Sequence, residues 1–74
     1  MELIEQKKSE RAICTLCYWD GPVSGKKFRV SWIYKNRVDQ WTRHNEQFET
    51  IESARKEYEF RVHSLTERGF YATT

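Results

Sequence analysis

Two hydrophobic periods divide the chain. Phe28, Val30, Trp32 and Tyr34 recur at every second position, with Lys27, Arg29, Ser31 and Ile33 between them, whereas after Phe48 the apolar positions become Ile51, Ala54, Tyr58, Val62 and Leu65. The first spacing is that of a strand with one buried face, and the second is that of one side of a helix. Thr50 offers a hydroxyl N-cap with Glu52 in the first turn, and Gly69 stands where a left-handed residue closes a helix, so the helix is predicted over residues 51–68. Glu52 with Lys56 and Glu57 with Arg61 are spaced as acid-before-base pairs four apart. Phe70 follows Gly69 and can touch Leu65 in the contact that accompanies a Schellman cap.

Residues 11–19 are rich in β-branched, aromatic and Cys residues and run into Asp20-Gly21-Pro22 and Ser24-Gly25, which predicts a first strand and then a turn. Lys35-Asn36-Arg37 interrupts the alternation with an Asn able to take the left-handed conformation, and residues 38–44 resume an extended pattern, completing a hairpin. Residues 1–10 are almost all polar and are predicted to be a flexible leader, with residues 11–74 forming a single domain. The expected fold is α+β: a three-stranded antiparallel meander packed on one C-terminal helix, with residues 70–74 either a short edge strand or a cover for the core.

At 74 residues the chain has room for one hydrophobic core, and an aromatic fraction of 15 % allows a few large side chains to fill it. No apolar run approaches the roughly 20 residues of a membrane span, and the opening residues lack a signal peptide's apolar stretch, so the expectation is a cytoplasmic protein without membrane contact. In that reducing setting Cys14 and Cys17 are expected as thiols. Their spacing suits two zinc ligands, but His44 and His63 are 19 apart and do not complete a finger-like set, so no metal and no other cofactor is expected. Ser9, Ser24, Ser31, Ser53 and Ser64 lack a glycine-rich elbow, no phosphate-cradling loop is visible, and Glu52, Glu57, Glu59 and Glu67 are spaced for surface ion pairs. The expectation is a non-enzymatic accessory or regulatory protein acting by macromolecular binding.

Charge makes that expectation more specific. The net charge is only +2, yet residues 24–45 hold six bases and one acid, leaving seven bases and ten acids for the rest. Lys27, Arg29, Lys35, Arg37, Trp41 and Arg43 are the candidate binding residues of a basic, aromatic sheet face, able to neutralise phosphates and stack bases. In element order, residues 11–69 resemble the sheet-plus-helix DNA-binding modules of the AP2-like and integrase arm-binding kind, and Trp41-Thr42-Arg43 resembles the Trp-Gly-Arg of WGR domains without its central glycine. These resemblances imply nucleic-acid binding. On the helix, Phe60 lies about 180° from Ile51, so it is expected to be exposed with Lys56, His63 and Glu67 as a partner-binding back face. A protein partner is the leading expectation and nucleic acid the alternative, with the chain a monomer or homodimer.

Overall fold

The computed structural model describes residues 2–18 and 25–71. Trp19 and most of the expected first turn, at 20–24, lie outside them, as do residues 72–74. Four strands, β1 (Glu2–Lys8), β2 (Ala12–Tyr18), β3 (Phe28–Lys35) and β4 (Trp41–Phe48), precede one helix, α1 (Ile51–Glu67). The strands pair antiparallel in the order β1-β2-β3-β4, each beside its neighbour in sequence.

The sheet therefore has four strands where the sequence predicts three, and the additional one is N-terminal, not C-terminal. Residues expected to stand outside the sheet as a leader pair along β2, with a bulge between Leu3 and Glu5. Every residue of β1 is exposed, so no buried face imposes an alternating pattern on its sequence. At the other end, Phe70 and Tyr71 are not a strand. Tyr71 is buried and closes the core beside Ala12, Cys14, Leu16, Val30, Ala54, Tyr58 and Leu65.

Alternation sorts the side chains as predicted. Val30 is fully buried, and Phe28, Trp32 and Tyr34 pack against the core under α1. Ala54, Tyr58 and Leu65 are the buried positions of the helix, with Ile51 and Val62 packed beside them. Thr50 caps the helix by accepting from the Ser53 backbone N–H at 3.2 Å. Its end is a Schellman arrangement: Phe70 N–H donates to the Leu65 carbonyl at 2.9 Å, Gly69 N–H to that of Thr66 at 3.1 Å, and Gly69 has φ +86°.

The β3–β4 turn uses Asn36 differently from the expectation. Its side-chain oxygen accepts from the Val38 and Gln40 backbone N–H groups, both at 3.0 Å, and the left-handed residue is Asp39, at φ 63°. Asn36 contributes the hydrogen-bonding Asx geometry, not the unusual backbone.

Candidate binding surfaces

With α1 on one side, the other side of the sheet carries no helix among the described residues. Residues paired across antiparallel strands share a face, so the register defines that open side as successive rows. Lys8, Ile13, Ile33 and Arg43 form one row; Gln6, Thr15, Ser31 and Asn45 form the next. Leu3, Cys17, Arg29 and Gln47 form a third, and the pair Lys35 and Trp41 ends the face.

The charges are segregated by side. Lys8, Arg29, Lys35 and Arg43 occupy open-face positions, and the strand carboxylates Glu2, Glu5 and Glu46 all occupy register positions of the helix side. Glu5 accordingly reaches Arg55 of α1 in an ion pair at 3.1 Å. Among the described strand residues no carboxylate shares the open face. Trp41 is 45 % exposed at its edge, with the Lys35 ammonium 5.5 Å from its ring centroid.

Of the six residues singled out for this face, Arg29, Lys35, Trp41 and Arg43 are on it together. Lys27 is exposed just ahead of β3, and Arg37 lies in the β3–β4 turn, beyond the end of the face. Lys8 completes the basic face and was hidden from the sequence reading, since only its pairing with Ile13 brings it beside Arg43.

Cys14 and Cys17 point to opposite sides of β2. Cys14 Sγ lies 4.0 Å from the Tyr58 carbonyl in the core, and Cys17 Sγ lies 3.6 Å from that of Arg29. That division prevents the two thiols from gripping one ion. Burial pushes the Cys14 thiol from its ordinary 9.0 up to about 12, partly opposed by Arg61, and burial also raises Cys17, opposed by Arg29.

On α1, Lys56, Phe60, His63 and Glu67 form one exposed line. Phe60 is 58 % exposed, and His63 Nε2 and Glu67 Oε1 are 3.1 Å apart. Arg61 approaches the Phe60 ring at 5.2 Å from its centroid. Among the described residues, no helix is long and apolar enough to cross a membrane.

Comparison with protein-family models, with curated proteins and with solved structures gives no match to this chain.

Proposed function

We propose that the protein is a non-enzymatic binding module that lays the open face of its sheet on a nucleic acid. The observation that carries this reading is the segregation of charge, with every described strand carboxylate on the helix side and Lys8, Arg29, Lys35 and Arg43 on the opposite side. A face of one sign concentrates the opposite charge, and phosphates spaced along a chain are the extended anion that suits a flat sheet. Lys8, Lys35 and Arg43 supply exposed or half-exposed cations, Thr15, Ser31 and Asn45 supply hydrogen-bonding groups between them, and Trp41 supplies a ring on which a base stacks.

Fluorescence anisotropy with labelled single- and double-stranded oligonucleotides over a salt series tests the proposal. The logarithm of the affinity should fall linearly with the logarithm of salt, with a slope of about −0.7 to −0.9 for each phosphate neutralised. Lys8→Glu and Arg43→Glu should flatten that slope while leaving the circular dichroism spectrum unchanged. Absence of binding to either oligonucleotide at low salt would rule out this use of the sheet.

The exposed ring of Phe60 supports a second reading, docking onto a protein through the outer face of α1. The two readings use opposite sides of the molecule. Phe60→Ala weakens association only under the second, and Arg43→Glu only under the first.

A further inference from the structure

At one end of the sheet, where the β1–β2 connection, the β3–β4 turn and the end of α1 meet, a cleft of about 500 Å³ is lined by Arg11, Lys35, Arg37 and Arg68. Three separate stretches of chain supply these bases, and hydrogen bonds to backbone carbonyls hold the stretches together. Lys35 N–H donates to the Arg11 carbonyl at 2.9 Å, and the Schellman cap turns the chain so that the Ser9 hydroxyl donates to the Phe70 carbonyl at 2.8 Å. The cleft is thus built by the fold, not by one flexible segment.

Its aromatic wall arranges the cations. Tyr34 and Phe70 have ring centroids 5.4 Å apart. The Arg11 and Arg68 guanidiniums lie 5.3 and 5.2 Å from the Phe70 centroid, and Arg68 also lies 4.8 Å from that of Tyr34. One ring therefore holds two like charges. None of the four bases forms an ion pair with a described residue, and Glu67, next to Arg68 in sequence, is turned to His63. Among the described residues no carboxylate lines the cleft. On α1, by contrast, Arg55 is balanced by Glu5 and Arg61 by Glu57.

We propose that this cleft is a binding site for a phosphoryl group, held between the guanidiniums of Arg11 and Arg68 with Lys35 and Arg37 at its mouth. Guanidinium forks match the oxygens of a phosphoryl group by paired charge-assisted hydrogen bonds, and stacking on rings fixes the forks before the anion arrives. A bound dianion offsets the repulsion between the two cations that share Phe70. The site lies at the end of the sheet, shares Lys35 alone with the open face, and does not rest on the proposed function above. Its phosphoryl group comes either from a nucleic-acid chain or from a free polyphosphate.

Two-dimensional amide NMR in phosphate-free, low-salt buffer separates these sources, with inorganic pyrophosphate and a short single-stranded oligonucleotide as the two probes. Saturable shifts at the Arg11, Arg37, Arg68 and Gly69 amides are expected, and Arg11→Ala or Arg68→Ala should weaken them by about tenfold or more, as for loss of a hydrogen bond to a charged group. Glu52→Gln, at the opposite end of α1 from the cleft, should not change them. Shifts with both probes identify a site for free phosphoryl anions, and shifts with the oligonucleotide alone identify a site for a chain phosphate. If neither probe shifts these amides, or if the shifts persist undiminished in both alanine variants, the cleft is not a phosphoryl site. Should either variant lose its dispersed spectrum, Arg37→Glu in the exposed turn repeats the test. An oligonucleotide that shifts Ser31 and Asn45 but none of the cleft amides leaves the open-face reading standing and removes this one.

Discussion

The Arg61 guanidinium lies 4.0 Å from the centroid of the Trp32 ring while its Nε donates to the Glu57 carboxylate. Arg61 is in α1 and Trp32 in β3, so this contact joins the helix to the sheet at the half-buried margin of the core. Arg61→Ala should therefore lower stability by about 1 kcal/mol, between the values for exposed and for desolvated cation–π pairs, and Arg61→Lys should recover only part of it. Urea denaturation followed by tryptophan fluorescence measures both. A stability unchanged in Arg61→Ala would show that the contact contributes nothing.

Two rings two residues apart in α1 should respond oppositely to truncation. Tyr58 is 5 % exposed and Phe60 is 58 % exposed. Tyr58→Ala should cost roughly 3–5 kcal/mol, as large-to-small changes of core aromatics do, while Phe60→Ala should stay within about 0.5 kcal/mol. Thermal melts decide the order, and a larger loss at Phe60 would mean the helix is rotated from the arrangement described.

Alkaline pH should unfold the protein through its buried thiol and phenols. Burial raises Cys14 from 9.0 to about 12 and Tyr58 from 10.0 to about 12, and it raises Tyr71 as well. Above the ordinary thiol value the unfolded chain releases protons that the folded chain still holds, so stability falls as pH rises. This decline should begin near pH 9 and run to about 12, the range between the ordinary and raised values. Denaturant midpoints measured across that range check the slope, and Cys14→Ser should make it shallower. At pH 8 native Cys14 should resist iodoacetamide, since the reactive thiolate is scarce and the sulfur is buried.

The helix caps should be separable in their effects. Thr50→Ala removes the acceptor for Ser53 N–H and should cost about 1 kcal/mol. Gly69→Ala meets open space but forces a side chain into φ +86°, so its cost, about 1 kcal/mol, comes from backbone strain and not from a clash. Gly69→Asn should be milder than Gly69→Ala, because Asn tolerates the left-handed region. Equal midpoints for Ala and Asn at 69 would argue against strain as the cause.

What was legible in the sequence follows burial. Phe28 to Tyr34 and the Ile51 to Leu65 stripe each have one packed side, so their periods could be read directly and the helix ends to within a residue. Strand β1 has no packed side, and its polar residues resemble a leader until pairing with β2 is seen. The basic face was half legible for the same reason. Alternation gives Arg29 its side within β3, but Lys8 joins Arg43 only through register across four strands, which is not written in any local pattern. The cleft at the sheet end was further out of reach, since Arg11, Arg37 and Arg68 meet only after the turn and the helix cap have both formed.

Because strand order in space repeats strand order in the chain, each hairpin closes a short loop, and early pairing costs little chain entropy. Two of the longest-range bonds escape that economy: Tyr71 donates its phenolic hydroxyl to the Lys7 carbonyl at 3.0 Å across 64 positions, and Ser9 reaches Phe70 across 61. Both join the two ends of the described chain, so they close the longest loops among the described residues and are satisfied only once sheet and helix are in place. The meander can assemble in the order in which it is synthesised, while the clasp between Lys7 and Tyr71 waits until α1 has followed the sheet. Refolding observed at Tyr71 would accordingly lag behind refolding observed at Trp32.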